Sequence, residues 1–420
     1  MWTFLSKQHN WPFLRFGLAQ LISQFGDRVH QMALVGLIAQ RAPGSSFELA
    51  KLLAFTIIPV FIIGPIAGVY VDRWDRKMTL FICDILRGLL VLAIAFILLD
   101  VKSIWPIYAA VFLIFTLSRF YVPAKMSFVP QMVEETDLHI ANSLVTVTGM
   151  IALVLGALFG GLIVEWHGAK GGFVFDALTF FTSATLLFSV SVMQKMKQTQ
   201  TSVQDMGRQA AAAHRTVWAE ISEGVAYISA QKQLTFIFFM MSLLFAAAGA
   251  VYVVIIVFIQ QSFGTTTKDL GYMAVPLGIG LFIGSMMYGR FGKNVAAFRM
   301  MFLSLMAGGL MMAVFSLIVA HTQQRALAMG IAALVGLVLG PVVIASNTVV
   351  HQICATQMSG KVFAALEFVM HLAFLAAMLL SSFAAEHVPR MWILVVVGVI
   401  FFGVGLIGLC IFSQDRVKGA

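Results

Sequence analysis

The sequence predicts an all-α polytopic membrane protein, with twelve transmembrane helices in two pseudo-symmetric six-helix bundles. Three observations predict it. The 420 residues are 60% hydrophobic and 11% charged, with a mean hydropathy of +0.94, a balance that leaves too little polar surface to wrap a water-soluble core. Apolar stretches of about 20 residues, enough to cross roughly 30 Å of hydrocarbon as helix, recur from Pro12 almost to the C-terminus. A charged motif closing one stretch, GPIAGVYVDRWDRK (Gly64 to Lys77), returns in degraded form as SMMYGRFGK (Ser285 to Lys293). Arg73 and Arg290 thus lie 217 residues apart, half of the chain, and such an offset marks an internal duplication.

The predicted spans are 12–39, 48–71, 78–99, 104–122, 138–164 and 171–191 in the first half, and 233–261, 269–289, 297–319, 326–349, 360–384 and 390–413 in the second. The first is too long for a signal-peptide core and carries Asp27 and Arg28, so it reads as a retained helix. Asp72 and Arg73 end the second. Residues 1–193 form the N-terminal bundle, 233–420 the C-terminal bundle, and 194–232 a polar linker. In the linker Trp218, Ile221, Val225 and Ile228 stand at helical spacing opposite Glu220 and Glu223, the pattern of an amphipathic helix on the inner membrane surface. All other connections are short, so successive helices are antiparallel neighbours. Continuous rather than alternating apolar runs exclude a β-barrel.

With the N-terminus inside, seventeen Lys and Arg fall on the cytoplasmic side and seven on the other, which places both termini in the cytoplasm. A net charge of +9 scattered over short loops argues against nucleic-acid binding. Cys83, Cys354 and Cys410 show no paired spacing and read as packing residues. There is no phosphate-binding glycine loop, nucleophile elbow or zinc-protease motif, so no enzyme activity and no cofactor is expected.

Helix one carries Gln20, Gln24, Asp27 and Gln31 at spacings of four, three and four, on one face. A carboxylate within the bilayer is costly unless it faces water or a partner, so the stripe is expected to line a central cavity. Asp27 is the first candidate for a coupling proton site; the competing reading is a fixed ion pair with a basic residue on another helix, since adjacent Arg28 points about 100° away. Asp84 in helix three and Arg119 in helix four lie at similar depth and form a candidate pair, with Arg87, one turn on, competing for the same carboxylate. Glu367 and His371 share a face of helix eleven, as a proton relay, a metal-ligand pair or a satisfied buried pair. His30 and His351 would join them only if the fold brought all four together. Asp176 reads as a cap or helix partner.

Gly64 to Lys77 resembles the signature loop between helices two and three of the major facilitator superfamily. The resemblance implies two bundles that alternately expose a central cavity, with Asp72, Arg73, Arg76 and Lys77 as gating charges and Gly64 and Gly68 as close-contact positions. Asp75 replaces the usual glycine, as in the macrolide-efflux and siderophore-export branch; Gly289 replaces the acid beside Arg290 in the second copy. GALFGG (Gly156 to Gly161) resembles the glycine-rich antiporter motif of helix five, with Ala157 in place of proline. Gly156, Gly160 and Gly161, with Asp84, therefore join the gating set. FGDRVHQMAL (Phe25 to Leu34) and YVPAKMSFVPQMV (Tyr121 to Val133) are similar to lysophospholipid transporters as well as efflux pumps. The expectation is a monomeric, proton-coupled exporter of a small amphipathic molecule in the bacterial inner membrane. The alternative is a lysophospholipid flippase in which Lys125 attracts the phosphate; a metal exporter resting on His30, Glu367 and His371, and a non-transporting sensor that keeps the fold, are further readings.

Overall fold

The computed structural model describes residues 11–190, 218–219, 221–291, 297–353 and 359–415. Among them there is no strand. The helices are α1 (Trp11–Arg41), α2 (Ser46–Ile62), α3 (Gly64–Val71), α4 (Arg76–Ala93), α5 (Trp105–Phe128), α6 (Leu138–Phe188), α7 (Lys232–Phe263), α8 (Lys268–Phe291), α9 (Ala297–Thr322), α10 (Arg325–Ile353), α11 (Ser359–Ala384) and α12 (Arg390–Asp415). Nine of the described helices are long and apolar enough to cross a membrane.

Departures from regular helix have local causes. α2 and α3 divide the second predicted span at Ile63, where Pro65, in the first turn of α3, has no N–H to continue the ladder. α4 ends in a π-turn, Ile94–Leu98. Arg41 caps it, donating to the carbonyls of Leu98 (3.4 Å), Leu99 (2.6 Å) and Val101 (3.0 Å). At 51 residues α6 would be about 76 Å long if straight, well over twice the hydrocarbon thickness. It is not straight, because Gly168 adopts φ 70°, a left-handed conformation that costs glycine little.

Contacts with α1 show that the chain reverses there. Cβ atoms built on Gly156 and Gly160 would meet Arg28 and Val29, so the first arm of α6 ascends with α1. Those built on Gly172 and Gly26 would meet Ala33 and Thr179, so the second arm descends. The predicted fifth and sixth spans are these two arms.

The chain forms two compact units. One comprises residues up to Arg41 with Leu52–Trp218, and the other Ala42–Lys51 with Ala219–Ala420. The division falls within the expected linker, of which 194–217 and Glu220 lie outside the described residues. The described part of its amphipathic pattern is helical at 221–229, with Ile221 and Ile228 buried and Trp218 and Val225 exposed. Sequence did not foresee that Ala42–Lys51 belongs with the second unit. Arg390 donates to Ser46 Oγ (2.9 Å), to Gln261 Oε1 (2.9 Å) and to the Gly44 carbonyl. Glu386 Oε1 accepts from Ser45 Oγ and the Phe47 amide, both at 3.0 Å, and so caps the start of α2.

Both units pair their helices in one order. In the first, α1 packs on the first arm of α6, α3 on α5, and α4 on the second arm of α6. In the second, α7 packs on α11, α8 on α10, and α9 on α12. First with fifth, second with fourth, third with sixth: the duplication read from the charged motif extends to packing. The seams of the second unit are lined with glycine. Gly280 and Gly284 of α8 lie against the backbone of Ala333 and Leu337, while Gly336 and Gly340 of α10 lie against Leu277 and Leu281. Small residues four apart on both partners let the backbones touch, which gives van der Waals contact where lipid removes the hydrophobic drive.

Candidate functional site

The first unit holds a polar cluster centred on Arg87. Asp84 and Arg87 are three residues apart on α4 and so share a face, and that face is turned inward: the two are 0% and 2% exposed. A guanidinium withdrawn this far from water requires full compensation. Arg87 Nη2 binds Asp84 Oδ1, Nη1 approaches Ser118 Oγ (3.4 Å), and Nε approaches the Cys83 carbonyl (3.4 Å). The rings of Tyr121 and Phe180 lie 4.3 and 4.4 Å from its Cζ, an arrangement worth about 2 kcal/mol per ring when desolvated. Ser183 of α6 donates to the other oxygen of Asp84 at 2.7 Å.

Asp27 of α1 approaches the same guanidinium, its Oδ1 3.8 Å from Nη1, yet its side chain is 42% exposed. Arg87 thus joins a sealed carboxylate to an open one. Lys125 of α5 is half-buried within electrostatic reach of both Asp27 and Arg87, and Asp27 also acts on Asp84, Tyr121 and Asp176. With both acids ionised, Asp27 and Asp84 balance Arg87 and Lys125.

Other members of the predicted stripe are placed differently. Gln20 is 1% exposed and donates to the Tyr121 hydroxyl, so it braces α1 against α5. Gln24, half-buried, donates to the Gln20 carbonyl (3.2 Å), and Gln31 accepts from Arg28 Nη1 (2.9 Å). Of the two partners considered for Asp84, Arg87 is the one that binds it. Arg119 is half-buried further along α5.

One buried pair escaped the sequence reading. His30 Nδ1 lies 2.9 Å from Asp176 Oδ2, at 3% and 0% exposure, with His30 edge-on to Phe173. The sequence offers His30 as a companion to Glu367, His371 and His351, and Asp176 as a cap or helix partner; the approach of α1 to α6 at Gly26 joins the two. On α11, His371 Nδ1 faces the Glu367 carbonyl oxygen at 2.8 Å and Glu367 itself is exposed. The side chain of His351 lies outside the described residues.

The signature loop is an anchored turn. Asp75 caps α4, accepting from the Met78 amide (2.8 Å); Arg76, buried, donates to the Asp72 carbonyl (2.7 Å). Lys77 donates at 2.7 Å to the carbonyls of both Phe188 and Val190, closing the C-terminal end of α6. Trp74 packs between Tyr70 and Phe120. Asp72 is exposed and Arg73 half-buried. Gly64 and Gly68, expected at a close helix contact, have no described atom within 4 Å of a built Cβ. Gly156 and Gly160 do form such a contact, against α1, and Gly161 beside them is buried. Arg290 of the second copy is exposed and stands over Phe291.

Helices long enough to span a bilayer, paired twice in one order and holding an open carboxylate beside a buried cation, define a polytopic transporter. The chain belongs to the major facilitator superfamily, whose model matches residues 16–378. It is 23% identical to the uncharacterised MFS-type transporter YfiS of Bacillus subtilis (93% of this chain, 91% of the relative). It is 24% identical to the putative bacilysin exporter BacE of Bacillus amyloliquefaciens (95% and 94%). With macrolide efflux protein A of Streptococcus pyogenes the identity is 21% (73% and 75%). Among solved structures, a bacterial homologue of the iron transporter ferroportin in its inward-facing state superimposes with a TM-score of 0.72 at 14% identity (95% and 98%). The nucleoside transporter NupG gives 0.68 at 12% (96% and 99%).

Proposed function

We propose that the protein is a proton-coupled exporter of a small amphipathic molecule, working by alternating access as a monomer in the bacterial inner membrane with both termini in the cytoplasm. The observation that carries this reading is the contrast between two acids on one cation: Asp84 is sealed, whereas Asp27 is open to solvent. A sealed ion pair holds fixed charge, while an open one exchanges protons as access changes. The efflux-type names of relatives support the direction of transport, and the glycine seam of Gly156 and Gly160 on α1 supports an antiporter.

Everted vesicles energised with a pH gradient and supplied with radiolabelled macrolide or siderophore probes are expected to accumulate one of them. Asp27→Asn removes the exchangeable proton while keeping shape, and gradient-driven uptake is expected to fall to background with downhill counterflow retained. Uptake by the variant at the wild-type rate excludes Asp27 from coupling. Lys125, within electrostatic reach of Arg87 and Asp27, supports the second reading, a lysophospholipid flippase, in which Lys125 attracts the phosphate. Transfer of labelled lysophospholipid across the membrane of proteoliposomes, without uptake of the other probes, would establish it instead.

A further inference from the structure

Between Leu270 and Leu366 the chain contains no aspartate or glutamate, yet Arg290, Lys293 and Arg299 cluster within ten residues of one another. Arg290 closes the span of α8 and Arg299 opens that of α9, so both stand at the same membrane edge. Both are exposed, and neither forms an ion pair with a described residue. Phe291 and Met300, the neighbours of these arginines in sequence, line an apolar groove of about 270 Å³ together with Met287 and Tyr288 of α8 and Leu337 and Pro341 of α10. Its floor is the glycine seam, since Gly284 and Gly340 draw α8 and α10 together and leave the larger side chains as walls. Phe291 is 70% and Met287 48% exposed, so the groove opens outward along its length.

We propose that this groove is a binding site for one anionic phospholipid, an acyl chain lying against the Met and Phe walls and the phosphate held by Arg290 and Arg299. Three features select that occupant. The lining residues lie within spans whose apolar surface meets acyl chains rather than water. The volume of about 270 Å³ falls just below the roughly 300–1,000 Å³ that encloses a whole small molecule, and the open side suits an extended chain. The two exposed guanidiniums, with no acid in this stretch of sequence, are available to an external anion at headgroup depth, and arginine matches phosphate by bidentate hydrogen bonding.

The test is native mass spectrometry of the full-length protein in detergent, titrated with phosphatidylglycerol or phosphatidylcholine of the same chains. The wild type is expected to retain one phosphatidylglycerol at concentrations where phosphatidylcholine is not retained. Arg290→Gln with Arg299→Gln is expected to weaken retention roughly 30-fold, from about 1 kcal/mol per basic residue at an anionic surface. Met300→Trp, which fills the groove and leaves both charges, is expected to weaken it as well; thermal unfolding in the same detergent checks that both variants are folded. Glycerol 3-phosphate is expected not to compete, because it has the phosphate without the chain. Equal retention of the two lipids, phosphatidylglycerol retention unchanged in the arginine variant or in Met300→Trp, or full competition by glycerol 3-phosphate would each overturn the proposal.

Discussion

Asp27 and Asp84 share one guanidinium and differ in access to water. Asp84 is closed in by Arg87, Ser183 and the rings above them, so removing its charge strands a buried cation. Asp84→Asn is expected to cost about 3–5 kcal/mol, seen as a large drop in thermal unfolding temperature in detergent. Ser183→Ala removes only a neutral donor to the same carboxylate and is expected to cost about 1.5–3 kcal/mol. Tyr121→Phe leaves the Gln20 amide without its acceptor and is expected to cost about 1–3 kcal/mol. If Asp84→Asn unfolds like wild type, the cluster is not the structural anchor described here. These roles were only partly legible. Asp27 and its stripe follow from helical spacing, and Arg87 was visible as a competitor for Asp84. That Gln20 is sealed while Asp27 stays open was not, because spacing fixes direction on one helix and says nothing of what covers that face.

At the scale of elements, glycine separates positions that touch from positions that do not. A Cβ on Gly284 would stand 2.1 Å from the Leu337 carbonyl oxygen, backbone that cannot yield, whereas one on Gly289 meets nothing within 4 Å. Gly284→Val is therefore expected to part α8 from α10 and lower folded yield and thermal stability sharply. Gly289→Ala, on the same helix, is expected to be neutral or to stabilise by up to about 1 kcal/mol through helix propensity. Equal behaviour of the two in size-exclusion profiles and unfolding temperature would refute the seam. The sequence drew attention to Gly64, Gly68, Gly156 and Gly160 by motif. Among the described residues only the last two lie in a tight contact, and the reciprocal pairs of α8 and α10 carried no motif to announce them. Gly-x-x-x-Gly is frequent in any membrane helix, so its partner is identified only when two helices are seen side by side.

At the scale of the molecule, the repeat and the strap, Ala42–Lys51, have different standing. The half-length offset between Arg73 and Arg290 anticipated the duplicated architecture, and the common pairing order of the two units carries it into packing. Ala42–Lys51 departs from the repeat, tied into the second unit by Arg390 and Glu386. Arg390→Ala removes two of its hydrogen bonds, those at Gly44 and Ser46, so Ser45→Cys in that background is expected to react several-fold faster with a membrane-impermeant maleimide than in wild type. An unchanged rate would mean that Arg390 does not restrain the strap.

By itself the sequence determined that the chain lies in a bilayer as helices, roughly where each begins and ends, that its halves repeat, and that Asp27 is an unusual charge to carry there. Those properties follow from hydropathy, helical period and the length of a span, all written locally along the chain. The tertiary structure alone decided that Arg87 binds Asp84, that His30 meets Asp176, that the descending arm of α6 follows a reversal at Gly168, and that Arg390 holds the strap. Each joins residues distant in sequence or chooses among partners of equal chemistry, and that choice is made by which backbones can approach closely enough to seal a charge from water.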